Sequence, residues 1–191
     1  MARNGRANFD DLNDFREELQ NNLSEEQIAL FMESCSKELA ARLLSKVIKR
    51  TPVGDYTVEV EVVAKRDSKH HKKGDVYTKR INPTKKKGGT LRRGWTNGTN
   101  VKEKDYANSL RVNHNGNAYV IEIVNNVEYA SYVEHGHRQT PGRYVPVLGV
   151  CLKKDWVEGK HMLRDSKKEV EMEAPKILKR KLRQKLEESF R

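Results

Sequence analysis

Long apolar runs are missing from this chain. No stretch approaches the roughly 20 residues that a bilayer crossing needs, and nothing resembles a signal peptide, so a soluble protein with no membrane partner is expected. Cysteine is scarce: Cys35 and Cys151 are the only two in 191 residues and lack a C-x-x-C spacing, which argues against a disulfide framework or a thiolate zinc site. Both read as reduced, packed thiols in a chain made in a cytoplasm. No internal repeat and no low-complexity linker divides the sequence. The marks of catalysis are also missing. There is no G-x-S-x-G elbow, and Lys87-Gly88-Gly89-Thr90 lacks the full spacing with which successive amides cradle phosphates. Glu59 and Glu61 share one strand face opposite Val58, Val60 and Val62, as solvated residues do. No enzyme and no cofactor are expected.

Acid is in deficit. With 27 Asp and Glu against 38 Lys and Arg, the formal charge is +11 and the pI about 9.6, a balance that favours nucleic acid or an acidic protein surface as partner. The length suits one domain with one sizeable core.

The apolar spacing places the elements. Phe9, Leu12, Phe15, Leu19 and Leu23 recur at helical intervals, and a stronger helix follows. Ser24 and Gln27 can form a capping box, with Leu23 stapling onto Ile28. Ile28, Phe31, Met32, Cys35, Leu39, Leu43, Leu44, Val47 and Ile48 make one stripe, and Thr51-Pro52 stops it. Tyr56 to Ala64 and Val76 to Ile81 alternate and predict a hairpin. Its tip carries Lys65, Arg66, Lys69, Lys72 and Lys73, and Lys85-Lys86-Lys87 follows it. Strands are predicted over Leu91 to Thr96, Ser109 to Val112 and Ala118 to Val124, and a short helix over Glu128 to His135, before Gly136. The last helical pattern spans Arg164 to Phe190, kinked or split at Pro175. The fold class is thus α+β, over a single domain of residues 1 to 191 with an inserted arm at about 55–90.

Several pieces of this sequence resemble the signature of a tailed-bacteriophage neck family, the tail-completion or head-tail joining proteins of the Hong Kong 97 type. They are Thr51-Pro52-Val53-Gly54, Gly89-Thr90-Leu91-Arg92-Arg93-Gly94-Trp95, the run Val127 to Arg138 (VEYASYVEHGHR), and the run Trp156 to Leu163 (WVEGKHML). The resemblance extends from about residue 25 to the C-terminus. It implies a virion structural protein with a small antiparallel sheet packed by a long N-terminal and a C-terminal helix. It further implies a homo-oligomeric ring, six-fold or twelve-fold, between neighbouring neck rings around the genome channel, assembled in the host cytoplasm. The arm interrupts the family pattern, so the resemblance gives it no role.

Tyr129, Tyr132, Glu134, His135, His137, Trp156 and Glu158 are the candidate subunit-contact residues. A metal site on Glu134, His135 and His137, with His161, would fit a nuclease. Alternate residues of an extended segment point opposite ways, however, so hydrogen bonding at a turn beside an interface is the preferred reading. His70-His71 at the tip is likewise not a metal site. The basic tip could meet duplex phosphates, as in a general nucleic-acid-binding protein, or an acidic neighbouring ring, or only solvent. It has no platform for unpaired bases apart from Tyr77.

Overall fold

The computed structural model describes residues 24–83, 85, 87–116, 118–146 and 150–189. The short helix expected from Phe9 to Asn21-Asn22, and Leu23 as the staple of the helix that follows, lie outside them. The described residues form two compact units, one of residues 24–51 and 91–189, the other of residues 52–90.

Helix α1 (Glu25–Arg50) opens with the predicted capping box: the backbone N–H of Gln27 donates to Ser24 Oγ at 3.3 Å, and that of Ser24 donates to Gln27 Oε1 at 3.1 Å. Glu25 and Glu26 in its first turn and Lys49 and Arg50 in its last complement the helix dipole. Its buried stripe runs from Ile28 through Met32, Leu39 and Leu44 to Val47. Burying each such side chain contributes about 2 kcal/mol, so the face stabilises more than intrinsic helix propensity does. At its end the Thr51 hydroxyl donates to the Val47 carbonyl at 2.6 Å.

The stripe meets α5 (Met162–Ser189), whose Met162, Val170, Ala174, Ile177 and Leu178 complete the core. Helix α5 runs through Pro175 without being split. Polar links flank the apolar seam. Lys46 Nζ donates to Glu169 at 3.1 Å and to Glu173 at 2.9 Å, Arg50 pairs with Glu169, and Lys181 Nζ reaches the Ser34 carbonyl at 2.7 Å.

Two predicted strands do not form, the first becoming a helix and the second irregular chain after the last residue of one. Leu91 to Thr96 contains α2 (Thr90–Gly94), and the Ser109 to Val112 expectation meets the end of α3 (Glu103–Ser109). A strand would turn Arg93 inward beside Leu91 and Trp95. The helix buries Leu91, Gly94 and Trp95 while Arg93 stays exposed. In α3, the inward spacing is that of Tyr106, Ala107 and Leu110. The strand predicted over Ala118 to Val124 pairs only at β4 (Ala118–Val120), with β3 (Asn113–Asn115), and the chain turns between them at Gly116, whose φ is +60°. Ile123 beyond it is buried without a strand partner among the described residues.

Helix α4 (Ala130–His135) answers the predicted short helix. It runs into β5 (Gly136–Arg138), which pairs antiparallel with β8 (Trp156–Glu158), and β6 (Tyr144–Val145) pairs with β7 (Val150–Cys151). Cys35 is buried as expected, and burial pushes its thiol up to about 12. Cys151 is exposed, contrary to the packed-thiol reading, because it lies on a two-residue strand of an outlying ribbon. The fold is α+β, its strands paired as small two-stranded antiparallel sheets.

The unit of residues 52–90 holds the predicted hairpin, β1 (Val58–Val63) against β2 (Val76–Ile81), in a register that sets Val62 opposite Tyr77 and Glu59 opposite Arg80.

Candidate subunit-contact surface

The segments quoted for the family resemblance converge on one another in the structure. Trp95 is fully buried, and its indole N–H donates to the Thr51 hydroxyl at 2.8 Å. Arg92 Nη2 donates to the Thr51 carbonyl at 2.8 Å. Asn125 binds the other side of α2: its amide donates to the Leu91 carbonyl at 2.9 Å, and its Oδ1 accepts the Val127 N–H at 3.1 Å. Gly94 must be glycine here, since a Cβ would overlap Asn125 Oδ1 and come within 2.7 Å of Val127 Cγ2. These contacts fix where the chain enters α4.

At the far end of α4 the chain is clamped to α5. Glu134 is 4 % exposed, and its two carboxylate oxygens accept the N–H groups of Leu163 and Arg164, each at 3.0 Å. These are first-turn donors of α5 with no intrahelical partner, so a carboxylate both satisfies them and complements the helix dipole. The carbonyls of Val133 and Glu134 accept the N–H groups of Lys160 and His161 at 2.7 and 3.1 Å. His161 takes a left-handed φ of +48° to enter the helix.

The β5–β8 ribbon follows directly, and two glycines let its strands close. Gly136 has φ +84°, and a Cβ there would overlap the Val157 carbonyl and lie 2.8 Å from the Gly159 nitrogen. A Cβ on Gly159 would overlap the Glu134 carbonyl and lie 2.6 Å from the His135 carbonyl carbon. The ribbon presents aromatic side chains on both faces. Trp156 lies over Gly136 on one. On the other is His137, with the Tyr132 ring edge-on to it at 5.9 Å.

Tyr129, Tyr132 and Trp156 are 46 %, 58 % and 47 % exposed, and Val157 in the same ribbon is exposed too. Such large apolar surface on a rigid base is what protein interfaces use. His135 and Glu158 are exposed beside them, and His137 is half-buried. Glu134 stands apart from the other candidates because its side chain faces inward as the α5 cap. No group of three or more metal-ligating side chains comes together among the described residues. The tip candidates Lys65, Arg66, Lys69, Lys72 and Lys73 are all exposed, on the other unit.

The cap role of Glu134 and the lock of Thr51, Trp95 and Asn125 escaped the sequence reading. The second had a signal: Gly94-Trp95 and Asn125-Asn126-Val127 pair a small residue and a large one with an amide able to bridge loops.

A family model described as "Bacteriophage HK97-gp10, putative tail-component" matches residues 13–136. The chain belongs to this HK97-gp10-like family. The matched span covers the Thr51 turn, the Leu91–Trp95 helix and the Glu134–Gly136 corner, and ends before Trp156. Family membership makes the chain a structural component of a bacteriophage tail, located in the virion, and points away from catalysis. No curated protein and no solved structure matches this HK97-gp10-like chain.

Proposed function

We propose that the chain assembles with copies of itself into a ring, six-fold or twelve-fold, in the neck of the particle. There it joins the head and portal complex to the tail around the genome channel, stacked on neighbouring neck rings, after assembly in the host cytoplasm. One observation carries the ring: Tyr132 of α4, edge-on to His137 on one face of the ribbon, and Trp156 on the other face are 58 % and 47 % exposed, beside the Glu134 clamp. Closed rings form through head-to-tail contacts, in which each subunit offers two different surfaces to its neighbours. An aromatic anchor on either face of a rigid ribbon suits that requirement, because a preorganised anchor loses little freedom on binding. His135, His137 and Glu158 sit at the rim of this contact, where polar groups fix register.

Electron microscopy of particles bearing a bulky label on this chain tests the placement. Density for the label in a ring between head and tail is expected, and a label along the tube or at the distal tip would overturn it.

A further inference from the structure

The 52–90 unit ends in a loop whose construction leaves its cations unused. Eleven residues from Lys65 to Asp75 carry five cations and two carboxylates. Both carboxylates hold the backbone together: Asp67 Oδ1 accepts the Lys73 N–H and Asp75 Oδ2 the Lys72 N–H, each at 2.7 Å. Ser68 and His71 close the turn reciprocally, through Ser68 N–H to the His71 carbonyl at 2.8 Å and His71 N–H to Ser68 Oγ at 3.2 Å. The His71 ring stacks on Tyr77 at 4.1 Å, with 11° between the planes. The loop is therefore built, not slack, and Lys65, Arg66, Lys69, Lys72 and Lys73 project from it exposed. None of the five forms an ion pair among the described residues.

We infer that this tip is a docking site for the phosphate backbone of duplex nucleic acid, bound without regard to sequence. The inference deepens the neck reading given above by assigning the arm a contact with the polymer that a neck ring would surround. The side-chain chemistry selects this partner. Four of the five cations are lysines, which protein–protein interfaces disfavour, and a mobile ammonium suits a line of phosphates with no fixed register. Single strands are bound by stacking on free aromatic faces, and the one aromatic residue near the tip, Tyr77, already has one face covered by His71. An acidic protein surface is the competing partner, and the experiment separates the two.

Binding of the full chain to a random-sequence fluorescent duplex is followed by anisotropy across a salt series. Each neutralised phosphate adds about 0.9 to the slope of log affinity against log salt. Replacing all five cations by glutamine should flatten the slope by up to about 4.5, with an unchanged circular dichroism spectrum. Replacing the four lysines by arginine should preserve it. Absence of duplex binding by the unmodified chain, or an equal slope in the glutamine variant, overturns the inference. Tighter binding of poly-glutamate than of the duplex at equal charge also overturns it, in favour of an acidic protein partner. Ring formation by the glutamine variant leaves the neck reading intact whatever the binding result, so the two fail separately.

Discussion

Glu134, in the last turn of α4, caps α5 by accepting the Leu163 N–H at 3.0 Å. Its other oxygen takes the Arg164 N–H, so one buried side chain ties the aromatic ribbon to the long C-terminal helix. Glu134→Ala strands both donors, that of Leu163 in a buried setting and that of Arg164 in a partly buried one. A loss of about 2 kcal/mol in unfolding free energy is expected, measured by urea denaturation with an unchanged m-value. No loss of stability would mean that the clamp is dispensable.

Trp95→Phe isolates one hydrogen bond within the core. The ring stays close to its buried site while the donor to Thr51 Oγ1 disappears, for an expected cost of about 1 kcal/mol plus a packing penalty for the smaller ring. Trp95→Ala should cost about 4 kcal/mol through the cavity it leaves. Equal losses for both variants would show that the indole N–H, and not the ring, carries the stability.

Acid should loosen the α1–α5 seam at one identifiable group. Hydrogen bonds from Arg50 and then Lys46 hold the Glu169 carboxyl at about 2, below its ordinary 4.5. The unfolded chain takes up this proton first, so the pair's contribution is fully present above about pH 4.5 and is lost as pH falls towards 2. Solvent screening keeps the effect small, since the pair is partly exposed. Glu169→Gln should therefore reduce the fall of melting temperature between pH 5 and pH 3, a result checked by calorimetry at matched ionic strength. An unchanged pH profile would remove Glu169 from the acid response.

Deleting the arm tests the independence of the two units. A short glycine-serine link in place of residues 56–87 should leave the remaining unit folded, with a melting temperature within about 4 °C of the full chain, because closure cost varies slowly with loop length. Collapse of the deletion variant would make the hairpin part of the core.

Much of the helical frame was legible in the sequence. The stripe of α1 runs for about seven turns, and cap, periodicity and a proline stop all agree, while α5 repeats the apolar interval. The strand predictions failed where the residues were few. Leu91 and Trp95 lie four apart, a spacing common to one helix face and one strand face, and only the inward turn it would force on Arg93 separates the two. Short ribbons such as β6–β7 have two residues per strand and leave no periodic trace. At the candidate contact surface Tyr129, Tyr132 and Trp156 stood out in the sequence because aromatic residues and glycine punctuation cluster there, and in the structure all three are exposed. Glu134 was misjudged as one more polar neighbour, since its role depends on a helix start that lies 28 positions away at Met162.

Sedimentation velocity of the purified chain beside its Tyr132→Ala and Trp156→Ala variants tests the ring most directly. An anchor at a hot spot contributes about 2 kcal/mol or more, so each variant should weaken association by about 30-fold per contact while keeping its circular dichroism and melting temperature. The account predicts a closed oligomer for the unmodified chain and a shift to monomer for both variants at the same concentration. Closed oligomers of unchanged size in both variants would contradict it.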